Sequence, residues 1–300
     1  MSRWLKIILS ICLFFLFYKG NSQLLPNEIP GLEMWVKADE GVESDGNNFV
    51  NQWTDLSGNG HHCTTDLITS RPQFALDGIG GMPSIRFDGD DDYFSFPEVT
   101  NIRTAFWVVR ENAGTNAFNP RRSLLGHSSN TNFLRGAGYN IWDATAATEV
   151  INGSTRLNFT SVNGIYTPIL PQPSLISLVT TGPMSATHFT MYFNVASRNW
   201  SGDIAEVILY NEALTADQIS SIETYLADKY TPSLLGMQDV NITNQFCDTT
   251  ICAPTGFASY LWDNGTNESC RTFTTDTDAW VELVDYFGRT HTVQFHVGFP

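Results

Sequence analysis

From Trp200 to Tyr230 the chain reads WSGDIAEVILYNEALTADQISSIETYLADKY, and within that stretch the apolar period changes from strand to helix. Ile204, Val207 and Leu209 sit among β-branched and aromatic neighbours between Gly202 and Asn211, which predicts a strand. Thr215-Ala-Asp-Gln218 then has the form of a capping box: the Thr215 hydroxyl accepts from an orphan helix amide and Gln218 reaches back. Ile219, Ile222, Leu226 and Tyr230 follow at helical spacing, with Glu223, Asp228 and Lys229 assigned mostly to the opposite face. Pro232 ends the helix. One short amphipathic helix after so much strand pattern confines the fold to sheets on which that helix lies as a lid, at an edge or at one end of a sandwich.

The rest of the chain supplies the sheets. Leu32, Met34 and Val36 alternate with Glu33, Trp35 and Lys37 as a first strand, and Trp53–Gly60 is a turn-rich loop. Ser84–Phe87 is a strand entering the acidic run Asp88–Asp92, and Tyr93–Phe96 continues it. Thr104–Arg110 is apolar on both faces, the mark of a central strand. Ser123–Gly126, Asn132–Leu134 and Tyr139–Trp142 read as shorter strands, and 143–173 as long loops or an edge. Leu175–Thr180 and Phe189–Phe193 lead to the closing strand. Beyond a boundary near Thr231–Gly236 the pattern restarts: Ser259–Trp262 precedes Asp263-Asn-Gly265, a tight hairpin signal, and Trp280–Tyr286 and His291–Val297 flank a second at Phe287-Gly-Arg289.

Several ordered motifs carry a resemblance. Gly31-Leu-Glu-Met-Trp-Val-Lys-Ala-Asp39, Trp53-Thr-Asp-Leu-Ser-Gly-Asn-Gly60, Ile85-Arg-Phe-Asp-Gly-Asp-Asp-Asp-Tyr93 and the closing W-S-G-D-I-A-E-V stretch resemble, in order, laminin-G-like (concanavalin A-like) jelly-roll modules over residues 30–232. One departure is Tyr192-Phe-Asn-Val195, where such modules often carry Tyr-x-Asn-Gly. The last 65 or so residues resemble the small immunoglobulin-like or PKD-like modules that follow such jelly rolls in bacterial surface proteins. The resemblance implies an all-β chain: a two-sheet antiparallel jelly-roll sandwich with one short terminal helix, plus a small immunoglobulin-like β-sandwich. The expected division is a signal peptide over 1–22, a lead-in over 23–30, the jelly roll over 31–232, a linker over 233–237 and the second module over 238–300.

The N-terminus predicts export. Arg3 and Lys6 form a positive n-region, Ile7–Phe17 an apolar h-region too short to span a bilayer comfortably, and Gly20-Asn-Ser22 a small-x-small cleavage site. Cleavage removes Arg3, Lys6 and Lys19 and takes the net charge from −15 to −18. So acidic a chain argues against nucleic acid and anionic membranes as partners and fits neutral glycans or cations. Cleavage also leaves Cys63, Cys247, Cys252 and Cys270, an even count that favours disulfides in an exported protein. Cys252–Cys270 is the expected pair. Cys247–Cys252 is an alternative, and zinc a rival without histidines at finger spacing.

Three groups of residues invite chemistry. The run Asp88–Asp92, with Asp88 and Asp91 as leading ligands, suggests calcium, and so does Asp55-x-Ser57-x-Asn59-Gly60. In both, turn formation by Asp side chains competes with metal binding. Tyr139 and Trp142, with Asn140 and Asp143 beside them, form an aromatic group suited to stacking on sugars, against the competing reading that sandwich tryptophans belong to the core. Catalysis on this fold needs paired carboxylates on one face. No E-x-D-x-x-E occurs, and Asp203 and Glu206, three apart, fall on opposite faces of a regular strand. The expected function is therefore non-catalytic recognition of a glycan or surface glycoprotein. A polysaccharide hydrolase on the same fold and a structural subunit of a surface assembly are the alternatives.

Overall fold

The computed structural model describes residues 23–112, 123–127, 132–136, 140–190, 199–234 and 248–298. The chain enters through β1 (Leu32–Lys37), β2 (Val42–Ser44), β3 (Val50–Trp53) and β4 (Cys63–Thr64), then β5 (Gln73–Ile79) and β6 (Met82–Asp88). The long strand β7 (Phe94–Glu111) and the short β8 (Leu125–Gly126) follow, then helix α1 (Thr148–Ile151), β9 (Ser154–Leu157) and β10 (Thr160–Val162). A second long strand, β11 (Ser174–Phe189), leads to β12 (Ser201–Tyr210) and helix α2 (Ala216–Tyr230). The C-terminal strands are β13 (Thr249–Cys252), β14 (Ser259–Trp262), β15 (Cys270–Phe273), β16 (Thr277–Val284) and β17 (Thr290–Val297).

Strands β1 to β12 form one hydrogen-bonded antiparallel network with a main path β10-β9-β11-β7-β12-β6-β5. Two layers result because β7 and β11 run through both. Near Thr104–Val109, β7 pairs with β12 and with the first half of β11; near Phe94 it pairs with the far end of β11 and with β4. Register shifts between Val179 and His188 mark where this ribbon bends. Both halves point side chains into one core, Phe94, Phe96, Val99 and Ile102 meeting Ala105, Trp107 and Val109.

The other face of β12 and β7 is covered as well. Phe106, Val108, Ile208 and Tyr210 pack under Ile222, Leu226 and Tyr230 of α2, so every residue of β12 is buried. The helix begins as its sequence predicts: the Gln218 amide donates to Thr215 Oγ1 at 3.3 Å and the Thr215 amide to Gln218 Oε1 at 2.9 Å. Glu223 departs from expectation. It faces the sheet, fully buried, because Arg156 of β9 and Ser177 of β11 wait there at 2.9 and 2.6 Å.

Of the strands expected between 123 and 142, Ser123–Gly126 contributes the two-residue β8, and the other two shrink to isolated bridges among the described residues. Asn132 and Phe133 form a turn, and Ser123 meets Leu134 through a single bridge. The edge region contributes α1, β9 and β10 instead of loop alone. In the tail, the Asp263–Gly265 turn forms, with Gly265 N donating to Trp262 O, but it does not join neighbours. Strand β14 pairs with β16 while β15 crosses to β13, giving a two-stranded and a three-stranded sheet around Trp262, Phe273 and Phe295. The second hairpin forms as predicted between β16 and β17. Cys252 and Cys270 stand opposite each other on β13 and β15 and are disulfide-bonded. Cys63 is buried and free, and Cys247 lies outside the described residues.

Candidate functional site

Where β6 hands over to β7, the sequence Asp88-Gly-Asp-Asp-Asp92 makes a tight loop, with Gly89 at φ +86°. Its carboxylates first serve the backbone. Asp88 Oδ1 accepts from the amides of Asp90 at 2.8 Å and Asp92 at 3.4 Å, and Asp92 Oδ2 accepts from the Asp88 amide at 2.9 Å. Side chains from the far strand ends hold the loop from below: Thr190 Oγ1 and Asn199 Nδ2 donate to the Asp92 carbonyl, and Ser201 Oγ to that of Asp88. Ser70 Oγ donates to Asp91 Oδ2 at 2.9 Å.

This turn also concentrates charge. One carboxylate oxygen each from Asp88, Asp91 and Asp92 lies within 4.8 Å of the others, Asp92 being buried and the other two exposed. Burial, and then the neighbouring charges of Asp88, Asp91 and Asp90, push the Asp92 carboxyl up to about 7 against the lowering by the Asp88 amide. Two oxygens that each bind one calcium at roughly 2.4 Å stand at most about 4.8 Å apart, so the spacing fits a single hard cation. Turn and cation readings are therefore compatible here, and Asp92 joins Asp88 and Asp91 as a candidate ligand.

Asp55 lies elsewhere. Its Oδ1 accepts from the amides of Trp35 and Ser57, and its Oδ2 from Ser57 Oγ and the His61 amide, at 2.8 to 3.0 Å. It pins the 53–60 loop to β1 and does not belong to the carboxylate cluster. Trp142 is also corrected. It is a core residue, packed against Trp107 and Phe133 with its Nε1 donating to Thr155 Oγ1 at 2.8 Å, and no ring face is left for a sugar. Asp143 is buried and accepts from the Thr145 amide and hydroxyl. Tyr139 lies outside the described residues.

Asp203 and Glu206 share a face, contrary to the expectation for a regular strand. Between Ile204 and Glu206 the pairing with β7 slips by one residue, a bulge at Ala205 that turns Glu206 towards α2. Each carboxylate is saturated there. Asp203 lies between Arg86, at 2.8 Å, and Arg110. Glu206 accepts from Trp35 Nε1 (2.7 Å), Tyr225 OH (3.1 Å), Lys229 Nζ (2.8 Å) and Tyr230 OH (3.0 Å). Burial first, and the Glu206 charge second, drive both phenols far above their ordinary range, so they act as permanent donors. Nothing local in the sequence announces this nest, which draws on β1, β12 and α2.

A cleft of about 1100 Å³ separates the β5–β6 turn and the end of α2 from the C-terminal sheets, and Arg110, Lys229, Arg289 and His291 line it. Its cations are engaged by neighbouring acids: Arg110 by Asp203, Lys229 by Glu206 and Asp39, and Arg289 by Asp285 and by Asp228 of the cleft wall. Among the described residues no helix is long and apolar enough to cross a membrane. The chain matches no family model and no curated protein.

Proposed function

We propose that the chain is an exported, non-catalytic binding protein whose sandwich, laminin-G-like in its ordered motifs, recognises a glycan or surface glycoprotein at its rim. A calcium ion held by Asp88, Asp91 and Asp92 organises that rim. The observation that carries the reading is the convergence of three carboxylates within 4.8 Å on a loop already tied down by Thr190, Asn199 and Ser201. A cation there neutralises the acidic loop and offers open coordination positions to sugar hydroxyls. The saturation of Asp203, Glu206 and Glu223 by cations and hydroxyls weighs against the hydrolase reading, because a general acid or base must be free to exchange its proton with substrate. The apolar N-terminal segment and the Cys252–Cys270 disulfide support export.

The test is calorimetric titration of metal-stripped protein with calcium, beside thermal melts with and without chelator. Binding only to the folded form must raise the melting temperature, by about 2.7 kcal/mol of stability at a hundredfold excess over Kd. Asp91→Asn, on the exposed side of the cluster, is expected to abolish the heat of binding while leaving the metal-free melt unchanged. A glycan array read with calcium and with chelator then tests recognition; silence in both favours a structural subunit.

A further inference from the structure

Among the described tryptophans only Trp280 is exposed, at 37%, whereas Trp35, Trp53, Trp107, Trp142, Trp200 and Trp262 are buried. Trp280 stands on β16, the middle strand of the sheet β14-β16-β17. Ala279, Val281 and Leu283 of that strand face the C-terminal core, so alternation turns Asp278, Trp280 and Glu282 outward. The cross-strand register builds a defined surface around the indole. Gln294 lies directly opposite Trp280, Thr292 opposite Glu282, and His296 opposite Asp278 with its Nδ1 at 2.7 Å from the carboxylate. From the other side Leu261, 43% exposed, stands opposite Glu282 and diagonal to Trp280. The backbone under the ring is fixed twice: the Trp280 amide donates to Asp263 Oδ1 at 3.2 Å, and the Asp263 amide donates to the Trp280 carbonyl at 3.1 Å. Arg271 in turn pairs with Asp263.

The result is a sheet face with a small apolar centre, an indole and a leucine, ringed by an amide, a hydroxyl, carboxylates and the His296 imidazole paired with Asp278. A pyranose has the complementary form, with apolar C–H groups on its face and hydroxyls around its edge. The apolar centre is too small for an amphipathic helix, whose anchors span several turns. The acids at 263, 278 and 282, with a chain charge of −15, repel polyanions. We propose that this face of the C-terminal sheet binds a neutral polysaccharide chain by stacking a sugar ring on Trp280, with Gln294 and Glu282 taking edge hydroxyls. The proposal rests on the reading that the protein recognises glycans, but it places a second, calcium-independent contact away from the Asp88–Asp92 rim.

The experiment is affinity electrophoresis of the full chain in gels cast with a neutral β-glucan or galactomannan, and with alginate as the anionic control, each with calcium and with chelator. Retardation by a neutral polymer and none by alginate is expected. Trp280→Ala should weaken retardation by at least about tenfold, roughly 1.4 kcal/mol, Gln294→Ala less so, and Trp280→Phe should retain most of it. Because both positions are exposed, unchanged melting temperatures separate lost contact from lost fold. No retardation by either neutral polymer, or equal retardation of Trp280→Ala, overturns the proposal. Binding that chelator and Asp91→Asn abolish but Trp280→Ala does not would leave the rim reading standing and sink this one; the reverse pattern removes the rim as a glycan site and keeps Trp280.

Discussion

Asp285 sits at the base of the β16–β17 hairpin turn with five donors around one carboxylate. The amides of Phe287 and Arg289, Arg289 Nε and Thr231 Oγ1 all lie at 2.9 Å, and His291 Nε2 lies at 3.0 Å. Burial opposes its ionisation, but the bonds from His291, Arg289 and Thr231 outweigh that cost and hold its carboxyl below the ordinary value of 3.8. The unfolded chain therefore binds more protons than the folded one as Asp285 titrates, and this contribution is complete above the unfolded value and lost as pH falls through the folded one. Asp285→Asn is expected to cost about 2 kcal/mol at neutral pH. In urea denaturation across a pH series, its deficit against the parent should shrink below about pH 4; a deficit constant down to pH 2 would contradict this account. Trp142 is the second case. Its ring fills the core beside Trp107, and Gly164 leaves room for it, since a Cβ there would stand 2.2 Å from Trp142 Cδ1. Trp142→Ala should therefore cost about 3–5 kcal/mol of stability, read as a lower denaturation midpoint with the slope preserved.

Strand β12 and helix α2 form one element pair, and the bulge at Ala205 decides what joins them. Without it Glu206 would enter the apolar core; with it the carboxylate meets Lys229, Tyr225, Tyr230 and Trp35. Replacing such a buried ion pair by apolar residues is often neutral, whereas breaking it from one side is what hurts. Lys229→Met should cost about 3 kcal/mol, and adding Glu206→Leu should recover much of that loss because no buried charge is then left uncompensated. A double variant no more stable than Lys229→Met alone would show that the nest does more than neutralise. The β5–β6 turn beneath the helix end is equally constrained. Gly80 has φ +62° and a Cβ there would lie 1.9 Å from the Tyr230 carbonyl, so Gly80→Ala must displace the last turn of α2 and lower the melting temperature.

At the scale of the whole molecule, the described residues form three cores that touch one another. The sandwich core and the layer under α2 share β7 and β12, and Phe287 from the C-terminal hairpin inserts into the second of these beside Tyr230 and Leu226. Asn158 Nδ2 donates to the Tyr286 carbonyl and Arg289 pairs with Asp228 at the same junction. The C-terminal strands have their own core and a disulfide whose partners are 18 residues apart, worth about 3 kcal/mol by loop closure. Replacing Phe287 by Ser should uncouple the tail, turning one calorimetric transition into two, the earlier of which reduction of Cys252–Cys270 lowers further. The sequence by itself determined whatever depends on near neighbours: the strand at β12, alternation in β16, the Thr215–Gln218 cap, the turn at Phe287–Arg289, the Asp88–Asp92 loop and the cysteines free to pair. Tertiary structure alone decided which way a residue faces once a strand bulges or crosses between sheets. The Ala205 bulge put Asp203 and Glu206 on one face, Arg156 and Ser177 drew Glu223 inward, β15 left its hairpin partner for β13, and burial took Trp142 while leaving Trp280 outside. Side-chain direction follows a local period of two only while the ladder is unbroken, and where it breaks the buried partners across the sheet choose.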